Sequence, residues 1–153
     1  MTTRTAQPDD KARVITLLEH SRAAAGFDRP DGLTGFCFPF DAAYAERLFL
    51  VHQMPRHVCL VHDVEGTAQG VLMAVYAEHP FGPVRLARET VWFIEPEYRG
   101  LGAVKMLDAY EAWARGQGCQ YVGMAGMGDD PDVGKLYLRR GYAVAETHYL
   151  KAV

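Results

Sequence analysis

Residues 86–117, LARETVWFIEPEYRGLGAVKMLDAYEAWARGQ, constrain this chain most, because the apolar spacing changes character halfway along them. Arg88 to Ile94 is rich in β-branched and aromatic types and reads as a largely buried strand. Pro96 ends it, since proline cannot donate to a strand ladder. From Arg99 onward the apolar spacing becomes three and four. Val104, Leu107, Tyr110, Glu111 and Ala114 fall on or beside one helical stripe, with Lys105, Asp108 and Arg115 away from it. Gly100 and Gly102 stand at the junction, where the backbone must turn tightly and can approach a ligand. The unpaired N–H groups of a helix's first turn, helped by its dipole, favour an anion there. A strand, a glycine turn and a helix start together predict a phosphate site.

Two common phosphate patterns do not fit. A Walker loop needs Gly-Lys-Ser/Thr at its end, which is missing. The dinucleotide fingerprint begins well at Gly100 and Gly102, but Lys105 and Met106 stand where its third glycine belongs. A small nucleotide-binding domain stays as a third reading, one that predicts binding of simple nucleoside phosphates.

The chain of 153 residues is about one domain's worth, 1–153, with 49% apolar and 23% charged residues. A net charge of −3 without a Lys/Arg cluster argues against nucleic acid as a partner. No apolar run approaches a membrane span, and MTTRTAQPDDKAR is not the start of a signal peptide. Cys37, Cys59 and Cys119 share no close spacing, so reduced thiols of a cytoplasmic protein are expected rather than disulfides or zinc. His52, His57 and His62 recur every five residues, which fits neither a helix face nor a strand face. Surface or rim positions are expected for them, with no metal bound.

The order of elements follows from punctuation. Thr3 to Ala6 predicts a short strand. Asp9 or Asp10 caps a helix running to about Ala25, stopped by Gly26. Residues 26–40 form a loop with Phe27, Phe36, Phe38 and Phe40, which either covers a core edge or lines a binding mouth. Asp41 caps a second helix that ends at Pro55. Strands over 57–62 and 71–76, joined by the turn DVEGTAQG, predict an antiparallel hairpin. The central strand 85–94 and a strand over 121–125 are joined through a helix, so they should be parallel neighbours. In the loop MGDDPD an acid caps a short helix over 133–140, and a last strand is expected over 142–151. The fold class is therefore α/β (α+β): a mixed sheet with an antiparallel N-terminal hairpin and a central parallel strand pair, flanked by about four helices.

The segment Arg99-Gly100-Leu101-Gly102-Ala103-Val104 resembles the pyrophosphate loop of the GNAT (GCN5-related) N-acetyltransferases, Gln/Arg-x-x-Gly-x-Gly/Ala. Val104 stands where that pattern has Gly or Ala. Val133-Gly134-Lys135-Leu136-Tyr137-Leu138-Arg139-Arg140-Gly141-Tyr142 looks like the family's later motif, and the element order is similar too. The resemblance covers residues 85–151 closely and the earlier part by topology. It implies that the central parallel strands splay and that the pantetheine of acetyl-CoA lies in the gap. The backbone of Trp92, Phe93 and Ile94 would contact it, and one N–H there would polarise the thioester carbonyl. Arg99, Gly100, Leu101, Gly102, Ala103, Val104 and Lys105 would cradle the diphosphate. Tyr137 would protonate the departing thiolate, or serve only as a packing aromatic. Asp130 stands where many relatives carry an Asn that contacts the CoA arm, though helix capping is an equal role for it.

An amine must lose a proton before it attacks a thioester. Glu89 is the candidate base, acting directly or through water, unless it pairs with Arg85 or Arg88. Strand alternation predicts Glu89 on one face with Val91 and Phe93, opposite Trp92 and Ile94. The activity so implied is acetyl transfer from acetyl-CoA to a primary amine of a small molecule or peptide, by direct attack in a ternary complex. The alternative is a non-catalytic acyl-CoA-binding sensor or interaction module on the same fold. The exposed last strand offers an edge for a homodimer.

Overall fold

The computed structural model describes residues 1–32, 35–126 and 131–153. In chain order the elements are β1 (Thr2–Thr5), α1 (Lys11–Ala24), α2 (Ala42–Val51), β2 (His57–Val64), β3 (Thr67–Glu78), β4 (Arg85–Ile94), α3 (Leu101–Gly116), β5 (Tyr121–Gly123) and α4 (Pro131–Arg139). Short 3-10 turns precede α1 at Pro8–Asp10 and α3 at Pro96–Tyr98.

Local chemistry explains most of these boundaries. Asp41 caps α2 by accepting the Tyr44 N–H at 2.9 Å. Asp10 stands at the start of α1 but does not cap it. Its carboxylate accepts the Gln7 N–H at 2.7 Å and is gripped by the Arg4 guanidinium, which also reaches Asp63 on β2. That guanidinium holds both carboxyls below their usual range. The predicted eight-residue turn between β2 and β3 is a two-residue one. Glu65 and Gly66 both adopt positive φ, 52° and 83°, as the twist of a tight hairpin requires. The strands on either side are longer than the alternation suggested.

The five described strands lie in the order β1-β2-β3-β4-β5, antiparallel except for the parallel pair β4–β5. Helices α1 and α2 cover one face, where Val14, Leu17, Ala45 and Phe49 meet Cys59, Val61, Val71, Met73 and Phe93. Helix α3 covers the other, packing Met106, Tyr110 and Ala114 against Leu60, Leu72, Ala87 and Ile94. On α3 the buried residues are Gly102, Met106, Leu107, Tyr110 and Ala114; Val104 and Glu111 sit at the margin of that stripe.

Three expectations are corrected here. Residues 142–153 carry no strand and are largely exposed, with Val144 at 86% and Tyr149 at 94%. β-Propensity alone does not make a strand without a ladder partner. His52 and His62 are buried rather than at the surface. The face of Glu89 is also reversed. Met73 pairs with Val91 and Ala74 with Glu89, so Thr90 is an extra residue, a β-bulge that resets the alternation. Glu89 therefore shares the α3 face with Ala87, while Val91 and Phe93 point to α1 and α2.

Candidate active site

The central strand loses its parallel neighbour early. β5 pairs with β4 only through Leu86–Tyr121, Ala87–Val122 and Arg88–Gly123. From Glu89 to Ile94, β4 keeps β3 on one side and has no β5 partner on the other. A run of backbone donors and acceptors along such an edge is a ready partner for an extended ligand.

The edge leads directly into the glycine turn. Gly100 holds the N-cap of α3 with φ at 79°, a conformation that a side chain would strain. The first helical bond runs from Val104 N–H to the Gly100 carbonyl at 3.3 Å, so the N–H groups of Leu101, Gly102 and Ala103 lie ahead of the ladder. Leu101 is 72% exposed, which leaves the mouth of the turn open. Arg99 folds back: its Nε donates to the Ile94 carbonyl at 3.0 Å, and its guanidinium lies over the Phe93 ring. Lys105 is directed to the N-terminus, with Nζ 3.0 Å from the Met1 carbonyl. The cradle is thus made chiefly of backbone, with Arg99 at its lip.

Gly102 has a second reason to be glycine. A Cβ built there would lie 3.0 Å from His62 Nε2, and the His62 ring is fully buried. The first turn of α3 sits this close to the sheet because neither Gly102 nor Gly70 has a side chain; a Cβ at Gly70 would meet Ile94 at 3.0 Å and Met106 at 3.2 Å. Burial, then Lys105 and the chain's amino terminus, lowers the pKa of His62, so the helix start rests on a neutral imidazole.

Glu89 and Tyr137 meet at one residue, Ala125, through the two peptide groups that flank it. The Ala125 N–H donates to the Glu89 carboxylate, and the Tyr137 hydroxyl donates to the Ala125 carbonyl at 3.0 Å. Arg88 reaches Glu146 and Arg85 reaches the Gln117 carbonyl, so neither arginine takes up the Glu89 carboxylate. Among the described residues, neither the buried Glu89 Oε2 nor the buried indole Nε1 of Trp92 has a hydrogen-bond partner. The Trp92, Tyr137 and Tyr142 rings form a continuous row, with centroids 6.0 and 5.6 Å apart. Burial pushes the Glu89 carboxyl up to about 7, opposed only by the Ala125 hydrogen bond. A carboxyl that titrates near neutrality suits proton transfer.

The sequence-predicted residues therefore converge on one edge: Trp92, Phe93 and Ile94 along it, residues 99–105 above it, Glu89 and Tyr137 beside it. Asp130 lies outside the described residues. Alternation could not reveal the bulge at Thr90, nor the Ala125 backbone that links Glu89 to Tyr137. The contact between Gly102 and His62 joins residues 40 positions apart, and no local pattern announces it. Among the described residues no group of three or more His, Cys, Asp or Glu side chains gathers as a metal site would. Among the described residues no helix is long and apolar enough to cross a membrane.

Two outcomes follow from this packing. Gly102→Ala should destabilise the fold by about 1–3 kcal/mol through overpacking. Adding His62→Ala should recover much of that loss, a coupling that urea titration of the four proteins of a double-mutant cycle will measure. Additive effects would mean that the contact is slack. For Glu89, a folded-state value near 7 against an ordinary 4.5 means the native state binds more protons in that interval. Stability should then fall as pH rises through it, by about 3 kcal/mol in full, with the whole penalty present above about pH 7. Glu89→Gln should abolish the decline and exceed the wild type in stability at pH 8. Parallel pH profiles for the two proteins would contradict the buried-carboxyl account.

The comparisons with known proteins agree with this geometry. No curated protein matches the sequence. Among solved structures, the chain resembles a ribosomal-protein-alanine N-acetyltransferase from Brucella melitensis biovar Abortus 2308, at 20% identity over 100% of both chains with a TM-score of 0.72. It is also similar to a transcriptional regulator from Bacillus halodurans C-125, at 15% identity over 99% of both chains with a TM-score of 0.74. An aminoglycoside acetyltransferase from an uncultured soil metagenomic sample shares 16% identity over 99% of this chain and 93% of that one, with a TM-score of 0.68. At these identities the likeness is one of fold. The family is shown by the sequence itself: residues 28–142 match the model of the Acetyltransferase (GNAT) family, and the chain belongs to that family.

Proposed function

We propose that this protein transfers an acetyl group from acetyl-CoA to a primary amine of a small molecule or peptide, by direct attack in a ternary complex. The observation that carries the reading is the edge of β4 from Glu89 to Ile94, which among the described residues has no strand beside it and leads into the Gly100–Gly102 turn. An extended pantetheine fits an unpaired strand edge, and a diphosphate fits a backbone cradle at a helix start. Members of the family generally use acetyl-CoA. When bound, it supplies the activated acetyl group as a thioester.

In this reading the backbone of Trp92, Phe93 and Ile94 holds the pantetheine arm, and one of their N–H groups polarises the thioester carbonyl. The N–H groups of Leu101, Gly102 and Ala103 hold the diphosphate, and Arg99 and Lys105 add positive charge once they turn from the Ile94 and Met1 carbonyls they now reach. Glu89 takes the proton from the amine, directly or through a water, as nitrogen bonds to the carbonyl carbon. As the carbon–sulfur bond breaks, the Tyr137 hydroxyl gives its proton to the sulfur. The backbone of Ala125, bonded to Glu89 through its N–H and to Tyr137 through its carbonyl, supports this division into base and acid, because it ties both groups to one residue of the chain.

The acceptor is read as a soluble amine met in the cytoplasm, away from nucleic acid and membrane; the net charge of −3 supports this. Residues 142–153, exposed and without a ladder partner, are read as the part of the chain that a second subunit would pair with. One observation favours the alternative of a non-catalytic acyl-CoA sensor: a transcriptional regulator has the same fold.

A panel of amines assayed for thiol release from acetyl-CoA separates the two readings. The enzyme reading expects turnover with at least one amine, and Tyr137→Phe should lower kcat about a hundredfold while the Km for acetyl-CoA changes little. Tyr137→Phe also removes the hydroxyl's hydrogen bond to the Ala125 carbonyl, so its melting temperature must be recorded beside the rate. An unchanged kcat for every accepted amine would remove Tyr137 as the acid.

A further inference from the structure

Two consecutive side chains of β4 leave the strand on opposite faces just where its edge becomes free. Glu89 turns toward α3, and Thr90 turns toward α2. Thr90 is exposed, yet its hydroxyl is tied to a buried partner: Oγ1 lies 2.8 Å from Nε2 of His52, the residue that closes α2. The other ring nitrogen, Nδ1, lies 2.8 Å from the Leu48 carbonyl.

That arrangement dictates where each proton sits. A carbonyl oxygen only accepts, so Nδ1 carries the ring hydrogen and donates it to Leu48. His52 is 4% exposed and faces the His57 ring, whose centroid is 5.2 Å away. Burial first, and His57 after it, lowers the pKa of His52, which keeps the imidazole neutral and leaves a lone pair on Nε2. The Thr90 hydroxyl must then donate to that lone pair. Its oxygen faces the outside with acceptor capacity alone.

We propose that Thr90 Oγ1, held as a pure hydrogen-bond acceptor by His52, binds an N–H of the acceptor amine at the free edge of β4 and so selects primary amines. The inference rests on the acetyl-transfer reading above. A neutral primary amine has two N–H groups and a lone pair. One N–H meets Thr90, the other meets the Glu89 carboxylate from the opposite face, and the lone pair is left to attack the thioester carbon. An alcohol has one hydrogen, and a secondary amine one N–H, so neither satisfies Thr90 and Glu89 together. Thr90 touches the substrate; His52 acts through Thr90 and is a positioning residue. Because the Thr90–His52 bond also ties α2 to the central strand, its function must be separated from simple bracing.

The experiment uses the full chain, with acetyl-CoA and three probes: spermidine, sisomicin and an alanine-initiated peptide. Each probe that is turned over is paired with its N-methyl derivative. Thr90→Val, which keeps the shape and removes the oxygen, should raise the Km for the primary amine about tenfold, the value of one hydrogen bond. The Km for acetyl-CoA should stay within about twofold, and Thr90→Ser should restore the wild-type value. The wild type's preference for the primary amine over its N-methyl derivative should shrink in Thr90→Val. A bracing role alone would raise both Km values together or leave both unchanged, and either result overturns the proposal. Thr90→Ser as impaired as Thr90→Val would overturn it too. Thiol release by the wild type with none of the probes, N-methyl forms included, would instead count against the acetyl-transfer reading, and this proposal would fall with it.

Discussion

The β-bulge at Thr90 is the feature on which the site depends. Without it, β4 would be a regular strand with Glu89 on the same face as Val91 and Phe93, buried under α1 and α2. The extra residue turns Glu89 to the α3 face and leaves Thr90 on the other, at the point where β5 stops pairing. Bulges bend a strand and increase its twist. Beside a β5 of three residues, the rest of β4 is left without a β5 partner. The edge there exposes backbone polarity, which normally invites aggregation unless something covers it. A co-substrate arm along that edge would satisfy it.

The upper end of that edge depends on a different constraint, the distance between α3 and the sheet. Gly102 and Gly70 remove two side chains from the contact, so the start of the helix comes down onto His62 and Met106 settles against β3. This closeness sets the height of the cradle relative to the edge of β4. It also explains how Val104 can replace a small residue there: the contact that tolerates no side chain is at Gly102, while Val104 is half-buried at the margin. Gly102 therefore seats the helix against His62, and in the proposed reading the same bare backbone lets a ligand approach.

Much of this was legible from the residues. The change of apolar spacing around Arg99, the stop at Pro96 and the cap at Asp41 located the central strand and two helices. Those signals act between near neighbours in the chain. The mixed sheet and its parallel pair followed from chain connectivity. The face of Glu89, the burial of His52 and His62, and the missing last strand were not legible, for one physical reason. Each depends on partners far away in sequence: Met73 and Ala74 opposite a bulge, Thr90 beneath a helix end, Gly102 above a histidine. Period-two alternation cannot record an inserted residue, and propensity cannot supply a strand with a neighbour. The chemistry of Glu89 makes it a candidate base from sequence, while its spacing puts it on the wrong face.

The central claim is that the free edge of β4 and the Gly100–Gly102 turn form one continuous acyl-CoA site. Thermal unfolding with acetyl-CoA, compared with adenosine 3′,5′-bisphosphate, tests it most directly. At about a hundred times its dissociation constant, acetyl-CoA should stabilise by about 2.7 kcal/mol. For a chain of this size that raises the melting temperature by roughly 5–10 °C. The nucleotide, which lacks pantetheine and cannot reach the strand edge, should give a much smaller shift at the same concentration. Equal shifts from the two ligands, or none from acetyl-CoA, would contradict a site built along β4.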